Sequence, residues 1–257
     1  MRTEQLLARA DAAVALPRLG GMARPNGVVI VSERFWAFAG ADGSLREGRM
    51  LQPPELVHRL PLVRGLARLA ASLGPLLRRT GVAGARERLL LAGAVLAPAV
   101  LWFVPAPWSS VAGVVVVAAL LATILRGATL RLHGAEHRAI AATEERRLVA
   151  TWDGTAKPTR FSPRCGTNFA ALALPITLLA DRAPLPVAFW SPFLVLVLSL
   201  ALTMELWRVV QASSRRTWRV LLLPGLALQR LTTREPGLDE TQIALRAVAS
   251  VLRRELA

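Results

Sequence analysis

The sequence predicts a mostly α-helical membrane protein with about four transmembrane helices, a re-entrant or interfacial hairpin, and a small cytoplasmic β layer made of two hairpins. Three observations carry that expectation. Hydrophobic types make up 53% of the 257 residues and mean hydropathy is +0.42, a composition unlike that of disordered, collagen-like or disulfide-stapled chains. From Leu89 to Leu125 no residue is charged, a run too long for one crossing of a hydrocarbon core about 30 Å thick, so it must fold back on itself. Finally, the basic residues gather in alternate connections, as membrane topology requires.

The elements follow in order. At the N-terminus Arg9 and Asp11 interrupt the apolar residues, so no cleaved signal peptide is expected and the chain begins in the cytoplasm. Residues 1–54 form a cytoplasmic segment. In it the β-branched run Gly27–Ser32 and the stretch Phe35–Phe38, followed by Asp42-Gly43, read as a hairpin. Residues 55–88 read as amphipathic interfacial helices, broken near Pro61 and Pro75. Residues 89–132 hold the first two spans, about 89–104 and 109–127, separated by Pro105-Ala106-Pro107 with Trp108 at the interface.

A cytoplasmic stretch, 133–164, begins with a polar helix end. It continues into a second hairpin, in which Asp153-Gly154 turns between Leu148–Trp152 and Thr159–Phe161. Residues 165–208 supply spans three and four, interrupted at Asp181-Arg182. Residues 209–257 begin with Val220–Gln229, too short to cross and centred on Pro224-Gly225, which suggests the re-entrant or interfacial hairpin. They end in an amphipathic helix, about 238–256, with Ile243, Ala247, Val248, Val251 and Leu252 on its apolar stripe.

The formal net charge is +15, from 32 Lys and Arg against 17 Asp and Glu, and every cation but Lys157 is Arg. No aromatic-interleaved basic patch or nucleic-acid motif accompanies them, so no nucleic-acid partner is expected. The charges instead place both termini and the 131–165 segment in the cytoplasm and hold anionic headgroups, the lipid bilayer being the one expected partner. The single Cys165 cannot form an internal disulfide, which fits that compartment.

The sharpest chemical signal is His133-Gly134-Ala135-Glu136-His137. On a helix the i, i+3 and i+4 spacings place both imidazoles and the carboxylate on one face, an H-x-x-E-H arrangement. Neutral imidazoles bind a divalent metal, zinc by preference, and the carboxylate of Glu136 can take a proton from metal-bound water. The bland alternative is a polar helix end in which His, Glu, Arg131 and Arg138 pair with one another. A catalytic zinc needs a third protein ligand. Cys165, where span three begins, and Glu235, in a loop beyond the Pro224-Gly225 segment, are the candidates. Each also has a structural reading, Cys165 as a small residue at a helix start and Glu235 as a partner of Arg234. Glu205, near the end of span four, reads as snorkelling to the interface beside Arg208, and His58 as a surface residue.

Four segments, GGMARPNGV at 20–28, HGAEHR at 133–138, SPRCGTNF at 162–169 and PGLALQRLTTREP at 224–236, resemble the motifs of the YqhQ-like bacterial membrane proteins. That is a domain-of-unknown-function family often labelled metal-dependent enzymes. The resemblance runs from about residue 18 to 248. It implies a multi-span protein of the bacterial inner membrane in which His133, Glu136, His137, Cys165 and Glu235 act together. Two positions depart from the pattern. Asn26 stands where the family commonly has Glu, and Gly237-Leu238 follows Arg-Glu-Pro where an acidic pair is common, with Asp239-Glu240 displaced.

The expected function is an integral inner-membrane protein with a divalent-metal site at the cytoplasmic surface, a metal-dependent hydrolase if it is an enzyme. His133, His137, Cys165 and Glu235 would be the ligands and Glu136 the catalytic base. The competing class is a non-catalytic scaffold, regulator or small-solute carrier whose motifs are structural. Three ligand-type side chains converging on one point would favour the first; Arg–carboxylate pairs that consume Glu136 and Glu235 would favour the second.

Overall fold

The computed structural model of the chain describes residues 2–77, 81–101, 103–105, 108, 111–113, 115, 127–180, 182, 190–213 and 216–257. These fall into two compact units, Met1–Gln52 with Ile124–Cys165 and Leu226–Ala257, and Pro53–Thr123 with Gly166–Gly225.

The first unit is a helix-backed sheet. After α1 (Thr3–Asp11) the strands β1 (Gly20–Arg24), β2 (Gly27–Val31), β3 (Phe35–Gly40) and β4 (Leu45–Arg49) form one antiparallel meander in the order β1-β2-β3-β4. The β2–β3 register sets Val28 opposite Ala39 and Ile30 opposite Ala37. All four residues are buried in the core, and the small alanines let the helices approach closely. Against this face lie α6 (Gly127–Glu144) and α12 (Leu238–Glu255), with the short α7 (Leu148–Trp152) beside α1. The last helix is more than amphipathic. Residues from Thr241 to Leu252 are buried around most of its girth, including Ala244, Leu245 and Ala249 as well as the expected stripe. A helix apolar on most sides is a core helix, and this one is the centre of the unit. Asp239 and Glu240 in its first turn and Arg253 and Arg254 in its last complement its dipole.

The expected β layer is corrected in one half. The hairpin through Asp42-Gly43 forms, with Gly43 at φ 85° and the Asp42 carboxylate accepting from the Ser44 N–H and hydroxyl. Gly20-Gly21 belong to β1. The second hairpin does not exist, because Leu148–Trp152 is helical and Asp153-Gly154 closes that helix, Gly154 at φ 76°. The reason lies far away in sequence. The Asp11 carboxylate accepts from the Leu148 and Val149 N–H groups at 3.0 Å each, capping α7 from another element.

The second unit contains α2 (Glu55–Arg59), α3 (Val63–Ser72), α4 (Gly74–Leu77), α5 (Ala85–Leu101), α8 (Gly166–Ala180), α9 (Ser191–Ala212) and α10 (Arg216–Val220). The breaks at Pro61 and Pro75 fall where expected, and Leu62 takes φ 66° at the first of them. Arg64 grips Glu205 with two hydrogen bonds of 2.8 and 2.6 Å, and Arg208 lies 3.3 Å from the same carboxylate. Glu205 is therefore paired by α3 as well as by its own helix.

The four-span expectation is overturned. Among the described residues one helix, α9, is long and apolar enough to cross a membrane. At 1.5 Å per residue the 17 residues of α5 and the 15 of α8 reach only about 26 and 22 Å, short of a core about 30 Å thick. Much of the span expected at 109–127, and residues 183–189 at the start of the fourth, lie outside the described residues. Nor is there a re-entrant hairpin around Pro224-Gly225. These residues sit in the first turn of α11 (Leu223–Thr232), where a proline's missing N–H would have no intrahelical partner anyway.

Candidate metal centre

The centre is built from the polar face of α6, the loop that ends at Cys165, and the C-terminal end of α11. His133 and His137 lie one turn apart with ring centroids 4.5 Å from each other. Each is oriented by a backbone carbonyl: His133 Nδ1 donates to Thr232 O at 2.8 Å and His137 Nδ1 to Arg160 O at 2.7 Å. A carbonyl can only accept, so the Nδ1 atoms carry the protons and both Nε2 atoms are bare, the tautomer a metal requires. Cys165 Sγ stands 3.2 Å from His133 Nε2. The ligand atoms of His133, His137 and Cys165 all lie within 4.8 Å of one another.

The electrostatics agree. Burial lowers the pKa of His133, and burial followed by the neighbouring His133 lowers that of His137 to about 4. Both imidazoles are therefore neutral at physiological pH. His137 is 2% exposed, yet its Nε2 has no hydrogen-bond partner. Leaving such an acceptor bare costs about 1–3 kcal/mol. A cation bridging His137, His133 and Cys165 would satisfy it, so the residues present fit a metal.

The other two predicted residues lie elsewhere. Glu136 is buried and turned towards β1, where its carboxyl accepts from the Ala23 N–H and fills the space above Gly21. Burial pushes its pKa up to about 8. Glu235 is 63% exposed and held by Arg138 and, at 3.3 Å, by Arg160. The hydrogen bond from Arg138 lowers its pKa first, followed by the attraction of Arg138, Arg160 and Lys157. His58 is on α2 in the second unit.

The chain belongs to a family of proteins of unknown function (DUF1385). The family profile matches residues 97–254, a stretch that contains all five predicted site residues and excludes GGMARPNGV. No curated protein and no solved structure matches the chain.

Within the matched stretch lie residues that sequence reasoning passed over. Gln229 is fully buried. Its Oε1 accepts from the Ser162 N–H and its Nε2 donates to Ser162 O, each at 2.8 Å, so one side chain pairs like a strand with the loop leading to Cys165. Arg160 donates to Thr233 O and Oγ1, and Arg138 to Pro158 O and Pro236 O. These bonds fix the two carbonyls that orient the histidines. Gln229 lies in PGLALQRLTTREP, Ser162 in SPRCGTNF, Arg138 at the end of HGAEHR and Arg160 two residues before SPRCGTNF, but none is a metal-ligand type, so a search for ligands does not single them out.

Proposed function

We propose that this protein is a membrane-associated metalloprotein that holds a divalent cation, zinc by ligand chemistry, on His133, His137 and Cys165. One observation carries the reading: two buried imidazoles have their Nδ1 protons committed to carbonyls, and both bare Nε2 atoms lie within reach of one thiol. A nitrogen and sulfur set of this kind suits zinc better than the oxygen-seeking magnesium or calcium. Within its family we place the chain with the YqhQ-like proteins, on the four motifs named above. It sits at the bacterial inner membrane, with α9 as the apolar helix and anionic headgroups as the partners of its arginines.

Three protein ligands, where structural sites have four, leave a position for water, and an ion there would supply Lewis acidity and a water of lowered pKa. Metal-dependent hydrolysis is the enzymatic form of the proposal. Glu136, on the same turn of α6, is the acid–base candidate of this form; its carboxyl is turned towards β1, so to act it would have to swing from the Ala23 N–H towards the ligands. A second reading rests on the Arg138–Glu235 pair: with Glu235 engaged by arginines, the metal would act as a lock joining α6 to the loops at 158–165 and 232–236.

Elemental analysis of the detergent-purified protein tests the site. Wild type should carry about one zinc per chain, lost in His137→Ala and Cys165→Ser and kept in Glu136→Gln and Glu235→Gln. Wild type without metal after incubation with zinc, or Cys165→Ser at full occupancy, would overturn it.

A further inference from the structure

One helical turn beyond His137 on α6, the first unit has a cavity of about 320 Å³. Its wall on α6 includes Ile140 and Glu144. The strap between α1 and β1 contributes Leu16 and Arg18, and Arg164 reaches in from the position next to Cys165. With Arg146 also lining it, the cavity sets three guanidiniums against one carboxylate, a formal +2. Glu144 pairs with Arg164, but Arg18 faces Arg164 as a like charge and has no carboxylate partner among the described residues.

Arg146 adds an independent sign. It lies just past the end of α6 at φ 56°, in the left-handed region where glycine is usual, and its side chain donates to Ala10 O in α1 and to Ala13 O and Val14 O at the start of the strap. A non-glycine residue in that region costs about 1 kcal/mol and persists where its surroundings demand it. Here those bonds hold the strap, and with it Arg18, over the cavity.

We propose that this cavity is an anion-binding subsite that takes a phosphate or phosphomonoester group joined to a small apolar body. Guanidiniums bind phosphate oxygens in pairs, and a concave site concentrates their field. The volume is at the lower end for small-molecule pockets and exceeds what bare phosphate would fill, while Leu16 and Ile140 give an apolar wall for the remainder. The inference deepens the metal reading, on which it rests for the ligand's role as substrate: the anion would be seated between Arg18 and Arg164, the latter adjacent in sequence to the ligand Cys165.

The test is calorimetry on the full chain in detergent, titrated with inorganic phosphate and with glycerol 3-phosphate, both zinc-loaded and chelator-treated. A second arm uses phosphatidylcholine nanodiscs with and without phosphatidic acid. Arg18→Ala should weaken binding at least tenfold, while Arg253→Ala, which removes the same charge from the last turn of α12, should change it less than twofold. Arg18-dependent binding in detergent identifies a soluble phosphomonoester; the same dependence only in phosphatidic acid nanodiscs identifies a lipid headgroup. Either supports the subsite, and persistence in chelated protein supports it even if the metal reading fails. Binding that needs metal but ignores Arg18 would overturn the subsite and leave the metal reading intact. No Arg18-dependent binding in any arm would also overturn it.

Discussion

Gly134 sits between the two histidines, and replacing it with alanine probes the whole centre without touching a ligand. A Cβ there would lie 2.1 Å from the backbone oxygen of Arg234 and 3.2 Å from Pro236 Cδ. Van der Waals contact requires about 3.4 Å, so the loop would have to retreat by about 1 Å, and the loop is pinned: Arg234 N–H donates to Leu130 O at 2.9 Å. Overpacking of this kind costs about 1–3 kcal/mol, and alanine returns up to about 1 kcal/mol of helix propensity. The net loss is about 1–2 kcal/mol, or a fall in Tm of roughly 2–8 °C. Because Thr232, two residues before Arg234, supplies the carbonyl that orients His133, zinc affinity should fall with it, by about tenfold or more. Gly127→Ala at the start of the same helix meets nothing within 4 Å and should leave stability equal or higher and zinc binding unchanged. Thermal unfolding and competitive zinc titration of the two variants read both effects. If Gly134→Ala matched Gly127→Ala in both, the close approach of the loop to α6 would not be what positions His133.

Three further outcomes follow from the same geometry. Gln229→Leu removes the acceptor of the Ser162 N–H and one of the two N–H donors to Ser162 O, the other being Cys165 N–H, so urea unfolding should show a loss of about 1–3 kcal/mol, and zinc affinity should drop about 10–100-fold through the loosened Cys165 loop. Chelation should lower the Tm of zinc-loaded wild type by roughly 5–10 °C if zinc was present at about 100 times its Kd, and should leave His137→Ala unmoved. At Glu255 burial raises the carboxyl, but hydrogen bonds from Arg34 and Ser32 outweigh it and hold the pKa below its ordinary value of 4.5. A folded pKa below the unfolded one means stability present above about pH 4.5 and lost as pH falls, so wild type should weaken on acidification while Glu255→Gln, already lacking the charge, should show a shallower acid limb in urea titrations at pH 3 to 6.

The fold was legible where the deciding interactions are local. The β2–β3 pair, the Asp42-Gly43 turn and the proline breaks at 61 and 75 all follow from dihedral preferences within a few residues. Leu148–Trp152 was misread because its β-branched and aromatic content suits a strand, while the cap that makes it helical comes from Asp11, more than a hundred residues earlier. Apolar runs were also over-read. Uncharged length suggests a crossing, but helix length decides it, and among the described residues only α9 is both long and apolar enough.

At the site, helical spacing sets His133 and His137 one turn apart, as their rings 4.5 Å from each other reflect, but does not say which way Glu136 points. It occupies i+3 from His133, on the flank of the histidine face, and the absence of a side chain at Gly21 gives that flank room to take in a carboxyl. The same logic explains Glu235. A carboxylate three residues from the carbonyl that orients His133 looks like a ligand in sequence, yet two arginines whose other donors hold backbone carbonyls at Pro158, Pro236 and Thr233 claim it first. The loop of Cys165 is clamped by Gln229 and Arg160, and among the described residues the ligand-type groups that converge with its thiol are the two imidazole nitrogens. The centre is thus selected less by the ligands themselves than by the carbonyls, amides and guanidiniums that aim them, the residue classes that a motif search for metal sites passes over.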